Sequence, residues 1–363
     1  MGKQVISVRQ FTIIVMLFSI GTAILIIPAS ISQEIKQDAW IAALLGVILS
    51  LLIVKLFIGV GNINSKMTFV EINEGVLGKY VGKITSIAFI LFSFIGASEL
   101  LYYLENFMNS IMPETPAAAF GILFMLVIIY SMYLGIETFA RATELLVPLF
   151  VLIFVFFVIC ISPQIDIQNI QPIFETRTKP LIFSILLFLS VFSFPQVVLL
   201  MIFPSTINVH KSASKGFYIG TIAGGVVLFI MIVLAIAVLG ATNVSQNAYP
   251  SYTLAMRISI GNILERIEII MAFMWIITIF IKTFMYFYAS ILGLSQVLKM
   301  KDYRSLIFPM GMILFTLSQI GHPNIVDSHI FDKEAWLPFS LIFAIILPLL
   351  LLVIAKLRGI KSE

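Results

Sequence analysis

Lys282 is the residue whose type and position most directly suggest chemistry. It lies in the apolar run MWIITIFIKTFMYFYAS (274–290), and a charged side chain at the centre of a membrane helix costs about 2.5–3.5 kcal/mol on insertion scales. A lysine at this depth should therefore face the interior of a helix bundle. Trp275, Thr278, Tyr286 and Ser290 recur around it at steps of three or four residues and predict one polar stripe on that helix.

Glu99 is the obvious counter-charge for this lysine. At about 1.5 Å per residue it lies only slightly outward of the centre of its own apolar run, with Tyr102, Asn106 and Asn109 continuing a polar stripe. We predict that Glu99 and Lys282 form a buried charge pair near mid-membrane. The pair is either purely structural or part of the wall of a ligand cavity or of an ion or water path.

Two apolar runs contain residues that weaken a helix. Ser19-Ile20-Gly21-Thr22-Ala23 interrupts the first run, and Ser193-Phe194-Pro195-Gln196 interrupts the sixth. In lipid each freed amide and carbonyl needs a partner, and a bound solute could be that partner, with a carboxylate at a half-helix N-terminus and an ammonium at freed carbonyls. The alternatives are a packing notch at Gly21 and an ordinary proline kink at Pro195.

A charge cluster lies at the junction of the fourth and fifth apolar runs. Glu137 and Arg141 are four residues apart and Arg141 and Glu144 three apart, so all three share one helix face. We place this cluster at the cytoplasmic mouth, where it is either part of a gate or partner contact, or simply a charged helix start.

The sequence gives no support for metal binding, cofactor binding or catalysis. The single cysteine (Cys160) and the three histidines (His210, His322 and His329) share no ligand spacing, so we expect no metal or cofactor and assign the histidines no chemical role. The sequence contains no HExxH, Walker loop, dinucleotide fingerprint or convergent Ser/His/Asp set. We therefore expect a protein that is not an enzyme.

The elements that position these residues are membrane helices. Of the 363 residues, 60% are hydrophobic and 11% are charged, whereas soluble domains carry roughly 25% charged residues. Apolar runs of about 20 residues predict an all-α membrane protein of about ten spans, in one polytopic domain over residues 1–363. The predicted spans are 10–33, 39–60, 83–108, 117–135, 138–162, 181–203, 214–240, 267–298, 304–321 and 336–356.

Two connecting stretches predict short helices at the membrane interface, because apolar residues recur in them at helical spacing beside polar ones. They are SYTLAMRISIGNILERIE (251–268) and TFVEINEGVLGKY (68–80). Each of the two interruptions opens a half of five spans, about 10–162 and 181–356. An odd number of spans per half predicts opposite orientations, a 5+5 inverted repeat of the type that surrounds a central site in transporters.

Lys and Arg residues set the predicted orientation. With the N-terminus in the cytoplasm, fifteen of them fall on inner segments and six on outer ones. This bias favours both termini inside. The net charge of +4 is then a consequence of topology, so we expect the lipid bilayer as partner and no nucleic acid.

Four stretches together resemble the permease-like B subunit of GerA-type spore germinant receptors. They agree in order and spacing, and the resemblance covers nearly the whole chain. The stretches are ISVRQFTIIVMLFSIGTAILIIP (6–28), LGIETFARATELLVP (134–148), FPQVVLLMIFP (194–204) and RISIGNILERIEIIMAFMW (257–275) followed by Ile281-Lys282.

This resemblance implies a LeuT-like fold of the amino acid–polyamine–organocation superfamily. It also implies a receptor subunit in the spore inner membrane that recognises a small germinant such as an amino acid and acts with an A-type membrane subunit and a C-type lipoprotein. Spans 1, 3, 6, 8 and 10 would line the pocket. Carried over to this chain, the pocket comprises Gly21, Thr22, Ala23, Ser193, Phe194, Pro195 and Gln196, with Tyr102 and Tyr286 as cavity walls.

The chain departs from the family pattern in the sixth span. Family members often have Gly-Glu in that interruption, where this chain has Pro195-Gln196, so a role that depends on a carboxylate there is not expected. Two rival functions share the predicted fold. One is a secondary amino acid transporter, and the other is a structural or water- or ion-conducting channel subunit.

Overall fold

The computed structural model describes residues 5–257 and 268–360, and nearly all of this part is helical. The α-helices are α1 (Val8–Ile20), α2 (Ala23–Ile35), α3 (Ala39–Gly61), α4 (Phe69–Leu77), α5 (Lys79–Ile111), α6 (Ala117–Leu134), α7 (Ile136–Ile161), α8 (Thr178–Phe192), α9 (His210–Leu239), α10 (Ala241–Gln246), α11 (Pro250–Met256), α12 (Glu268–Val297), α13 (Arg304–Ile320), α14 (Ile325–Phe331), α15 (Leu337–Leu341) and α16 (Leu347–Leu357).

Eight helical segments of the described chain are long and apolar enough to cross a membrane, and two shorter apolar helices, Val8–Ile20 and Arg304–Ile320, accompany them. Large apolar side chains such as Ile84, Tyr130 and Leu152 point outward from these segments, and such a surface is stable against lipid rather than water. The chain is therefore a multi-pass membrane protein. The number of ten spans stays a prediction, since the predicted span 10–33 falls on two separate helices.

Gly21 separates α1 from α2. Its φ angle is 30°, a conformation that side chains with a Cβ rarely adopt, and its amide donates to the carbonyl of Leu17 at 3.0 Å, which closes α1. A Cβ on Gly21 would lie 2.2 Å from Cδ of Lys282. Both the backbone angle and the close approach of Lys282 therefore require glycine at this position.

The chain also leaves α-helical geometry after Phe192. α8 ends there, and residues 194–201 continue as a 3₁₀-helix (Phe194–Met201) with Pro195 in its first turn. Proline has no amide to donate back into the preceding helix. The last carbonyls of α8 therefore need other donors.

The last long helical segment, Ile325–Leu357, contains two π-helical stretches, Asp332–Trp336 and Ile342–Ile346. We call the first of these the π-segment. A π-turn widens the helix locally and often occurs at functional sites. The π-segment brings Asp332 and Trp336 toward the interruption after α8.

The predicted interfacial stretch 68–80 contains α4. Thr68 and Glu71 form a capping box at its start, which satisfies free amides of the first turn. The other predicted interfacial stretch, 251–268, is described only in part. α11 covers its beginning, and residues 258–267 lie outside the described part of the chain.

Candidate functional site

A cavity lies where the two interruptions meet α5, α12 and the π-segment. Its free volume is about 30 Å³, which is room for about one or two water molecules. The residues that line it are Thr22, Ile26, Gly96, Glu99, Leu100, Tyr103, Val191, Pro195, Lys282, Tyr286, Asp332 and Trp336. The cavity therefore combines charged and polar groups from helices that are distant in sequence.

Lys282 closes one wall of the cavity and is buried, with 2% of its surface exposed. Its Nζ donates a hydrogen bond of 2.8 Å to the carbonyl of Val191, near the end of α8. The same ammonium lies 5.6 Å from the centroid of the Phe18 ring, within the range of a cation–π attraction. Lys282 thus links α12 to both interruptions.

Glu99 lines the cavity, but the predicted Glu99–Lys282 ion pair is wrong for the described residues. The Glu99 carboxylate instead accepts hydrogen bonds from Nε2 of His322, at 2.9 and 3.0 Å. Helical periodicity gives the depth of a side chain but not the neighbour it faces. The partner here comes from a connection after α13 that folds back over α5.

His322 therefore corrects the expectation that the histidines have no role. Its Nδ1 lies 2.8 Å from Oδ2 of Asp327, so one ring bridges two carboxylates. The hydrogen bond with Glu99 is the main cause that raises the pKa of His322 from 6.5 to about 9, and burial opposes the shift. A protonated ring can donate from both nitrogens at once.

Asp332 is a cavity carboxylate that the sequence did not reveal. It accepts a hydrogen bond from the hydroxyl of Tyr103, and Trp336, four residues later, donates from Nε1 to the carbonyl of Ser190 at 3.1 Å. Asp332 precedes the predicted span 336–356, so the apolar run alone does not place it in the membrane. The four-residue spacing between Asp332 and Trp336 puts both residues on one helix face, and this was the sequence signal that could have pointed to Asp332.

The cavity offers hydrogen-bond donors from the Tyr286 side chain and from the start of α2. The Tyr286 hydroxyl is buried and has no partner within the described part of the chain. Thr22 makes no side-chain cap at the start of α2, and the amides of Ala23 and Ile24, the first of that helix, have no acceptor within it. Free amides at a buried helix start call for an acceptor.

Some of the predicted ligand-binding residues lie at the cavity, and others are buried around the interruptions. Thr22, Pro195 and Tyr286 line the cavity, and Gly21 adjoins it through the stem of Lys282. Four others are buried around the interruptions without lining the cavity: Ala23, Ser193, Phe194 and Gln196.

The side chain of Gln196 forms hydrogen bonds with neighbouring helices. Its Nε2 donates to Oγ of Ser19 at 2.8 Å and to the carbonyl of Phe192 at 3.4 Å, and its Oε1 accepts from Thr221 at 3.2 Å. This amide connects α1, α8 and α9. Its hydrogen bonds are directed to the protein rather than to the cavity.

Tyr102 does not line the cavity, contrary to the prediction. Its ring lies 5.1 Å from the His322 ring, and Tyr103 faces the cavity instead. The family resemblance placed Tyr102, three residues on from Glu99, in the cavity wall, whereas the cavity face continues four residues on, at Tyr103. Both steps are compatible with one helix face, so the tertiary contacts decide between them.

The predicted cytoplasmic cluster is divided between two sets of contacts. Arg141 pairs with Glu137 at 2.7 Å, while Glu144 pairs with Arg9 at 3.1 Å and accepts from Gln10 at 3.2 Å. Glu144 therefore joins α7 to α1. A role of this cluster in gating stays a prediction.

Comparison with known proteins assigns the family. The sequence profile described as "Spore germination protein" (Spore_permease) matches residues 5–326. The chain belongs to this spore germination protein family. The recognition made from the four sequence stretches is confirmed.

Two curated proteins similar to this spore germination family member come from Bacillus subtilis (strain 168). Spore germination protein KB is 29% identical, and the match covers 100% of this chain and 98% of that protein. Spore germination protein YndE is 28% identical, and the match covers 97% of each. Both similarities extend over essentially the full length of the chain.

Solved transporter structures share the fold of this family member. Mhp1, a nucleobase-cation-symport-1 family transporter solved in a closed conformation with bromovinylhydantoin bound, has a TM-score of 0.67 at 11% identity, with 99% of this chain and 95% of Mhp1 covered. MhsT in complex with L-phenylalanine has a TM-score of 0.69 at 15% identity, with 98% and 99% covered. The predicted all-α, LeuT-like fold is confirmed.

Proposed function

We propose that this chain is a nutrient germinant receptor subunit that binds a small polar solute, such as an amino acid, in the cavity between the interruptions. The observation that carries the proposal is a pair of features at the cavity: the buried Tyr286 hydroxyl, which has no partner among the described residues, and the start of α2, which has no side-chain cap. Unpaired polar groups are costly in a membrane interior, and a ligand that pairs with them gains binding free energy. The chain supplies binding groups rather than catalytic ones.

The small cavity favours a mechanism based on two conformations. A free volume of about 30 Å³ does not hold an amino acid, so binding requires the walls to separate. The ligand then stabilises the wider conformation in proportion to its difference in affinity for the two states. That shift in population is the signal to the rest of the receptor.

Family membership supports three further parts of the proposal. The chain would lie in the spore inner membrane, with both termini facing the cytoplasm or spore core, and would act with an A-type membrane subunit and a C-type lipoprotein. Purification of a tagged chain from spore membranes tests the assembly. The two subunits should be recovered with it at constant ratio.

Replacement of one hydroxyl tests the binding site. In spores whose only copy of the chain carries Tyr286→Phe, we expect the germinant concentration for half-maximal germination to rise roughly 3- to 10-fold, since one hydrogen bond contributes about 0.5–1.5 kcal/mol. The matched control is Tyr130→Phe, which removes the same hydroxyl from an outward-facing residue, 65% exposed.

The control should germinate like the parent strain. Equal responses of the Tyr286→Phe and Tyr130→Phe strains to every nutrient tested would contradict a ligand site at this cavity.

A secondary amino acid transporter is the second candidate, because both solved neighbours named above that share the fold are complexes with small solutes and one is described as a transporter. Uptake into vesicles reconstituted with the full chain separates the two functions. Saturable, gradient-coupled accumulation of the solute that triggers germination favours transport. Binding without accumulation favours the receptor.

A further inference from the structure

A buried carboxyl group lies in the bundle away from the cavity. Glu105 is on α5, six residues before the end of that helix, and 4% of its surface is exposed. It is not among the residues that line the cavity. The groups next to it are Gly121, in the second turn of α6, and Gln319, the last residue but one of α13. The carboxyl group therefore lies where α5, α6 and α13 meet, close to one end of each helix.

The two carboxyl oxygens of Glu105 have different surroundings. Oε2 accepts a hydrogen bond of 2.6 Å from Nε2 of Gln319. Oε1 is buried and has no hydrogen-bond partner among the described residues. It lies against the main chain of α6, because a Cβ on Gly121 would be 1.8 Å from it. This oxygen is thus enclosed by a helix backbone, with no donor to stabilise a negative charge.

The helices around Glu105 offer it no cation. Within residues 5–257 and 268–360 it takes part in no ion pair. α6 carries no charged residue and its tyrosines are exposed, and Arg304, the one charge of α13, lies at the opposite end of that helix. α12 carries Glu268 and Lys282, and the Lys282 ammonium donates to a main-chain carbonyl at the end of α8. The ionisable groups of α5 within two turns of Glu105 are acids as well, namely Glu99, Tyr102 and Tyr103.

The other buried carboxylate of α5 is held in a different way. Glu99 accepts from Nε2 of His322 at 2.9 Å, and the protonated ring of His322 supplies a positive charge. Glu105 accepts from the neutral amide of Gln319, three residues before His322. Both contacts tie the end of α13 and its following connection to α5, but only the contact of Glu99 includes a cation. An ionised Glu105 would be an isolated buried charge, and such a group becomes neutral instead.

We propose that Glu105 is a proton-binding site, with its carboxyl group neutral while α5, α6 and α13 are packed together. The proton is on Oε1, and Oε2 is the carbonyl oxygen that faces Gln319. When α6 and α13 move away from α5, water reaches the group, the O–H bond breaks and the proton passes to water. The carboxylate remains on the chain.

This chemistry links the packing of three helices to the proton concentration. Separation of α6 and α13 from α5 releases one proton and therefore becomes more favourable as the pH rises. The proton site does not depend on the proposed solute site, because Glu105 lies outside the cavity.

Infrared spectroscopy of the purified full chain in lipid nanodiscs tests whether the proton is present. At about pH 7, where an ordinary glutamate is ionised, the spectrum of the parent chain minus that of Glu105→Gln should contain the C=O stretch of a neutral carboxylic acid. The matched control is Glu114→Gln, which removes an exposed carboxyl group. Its difference spectrum should contain only the bands of an ionised carboxylate.

A second variant assigns the band without removing the carboxyl group. Gln319→Leu removes the donor to Oε2 from an exposed position, so the C=O band of Glu105 should move to higher frequency. This variant decides the question if Glu105→Gln does not fold.

Thermal unfolding tests the link between the proton and the packing. Glu105→Gln keeps the shape of the neutral acid but needs no proton. Between about pH 5 and about pH 7 the melting temperature of the parent chain should fall relative to that of Glu105→Gln, by about 2 °C per pH unit, because the folded parent holds a proton that its unfolded chain releases. His322 is present in both chains, so its titration cancels in the comparison.

Three results would overturn the inference. Carboxylate bands alone in the Glu105→Gln difference spectrum, as in that of Glu114→Gln, would show that Glu105 is ionised. Where Glu105→Gln does not fold, a carboxylic-acid region that Gln319→Leu leaves unchanged would exclude a neutral Glu105. A difference in melting temperature that stays constant from about pH 5 to about pH 7 would exclude a link between the proton and the packing.

Discussion

Gly21 shows how one residue serves both the backbone and the site. Its positive φ angle ends α1, and its missing side chain gives Lys282 room to reach the end of α8. Lys282 in turn satisfies the carbonyl of Val191. The interruption and the buried charge therefore depend on each other.

Replacement of this glycine should be costly. We expect Gly21→Ala to lower stability by about 1–3 kcal/mol from backbone strain alone, with a further loss because the new Cβ would lie 2.2 Å from Lys282 Cδ. Thermal unfolding in detergent measures the effect. The control, Gly75→Ala in α4, places a methyl group where no atom lies within 4 Å and should leave the melting temperature unchanged or raise it.

An unchanged melting temperature for Gly21→Ala would show that the separation of α1 from α2 does not depend on glycine.

His322 joins two elements of the fold, because it holds the connection after α13 against α5. The groups that face it are the carboxylates of Glu99, from α5, and Asp327, from α14, together with the rings of Tyr102 and Phe331. The carboxylate of Asp332 also acts on it electrostatically. Protonated His322 is the cation among these acidic groups.

This contact predicts a defined pH dependence. The folded-state pKa of about 9 lies above the ordinary value of 6.5, so the stabilisation is fully present below about pH 6.5 and is lost as the pH rises through about 9. We therefore expect the difference in melting temperature between the parent chain and His322→Gln to shrink between these pH values.

The same comparison in a Glu99→Gln background provides the control. Removal of that carboxylate should remove most of the pH dependence, because its hydrogen bond is the main cause of the raised pKa of His322. A difference in melting temperature that stays constant from pH 6 to pH 10 would contradict this account.

The prolines show why helix ends could not be predicted from the sequence alone. Pro28, Pro148 and Pro309 lie inside α2, α7 and α13 without ending them, whereas Pro195 follows the end of α8. Both kinds of proline free carbonyls that need donors from outside the helix, and the carbonyl of Ile24, freed by Pro28, accepts from Ser251. At the end of α8 those donors come from residues such as Lys282 and Trp336, which are far away in sequence.

At the scale of the whole molecule, the distribution of Lys and Arg predicts how the bundle lies in the membrane. We expect both termini in the cytoplasm, which places Glu114 outside and Asp302 inside. Both side chains are exposed. Single cysteines at these positions, introduced into a Cys160→Ser background, test the orientation in spheroplasts.

A membrane-impermeant maleimide should label Glu114→Cys in intact spheroplasts and should label Asp302→Cys only after lysis. The reverse pattern would contradict the assignment from basic residues.

The sequence by itself determined the class of the protein and much of its fold. Composition and the length of apolar runs require lipid as solvent, and the four sequence stretches identified the family. Buried charge, the helix interruptions and the family resemblance pointed to Lys282, Glu99, Thr22, Pro195 and Tyr286, and these residues line one cavity. A charge or a helix interruption in hydrocarbon has few tolerable locations.

Only the tertiary structure decided which groups meet. Glu99 faces His322 rather than Lys282, Tyr103 rather than Tyr102 lines the cavity, and Asp332 enters the site from a π-helical turn. The reason is that sequence spacing fixes the depth and approximate face of a side chain on its own helix. The choice of partner depends on helix rotation and on connections that fold back, and these follow from the packing of the whole bundle.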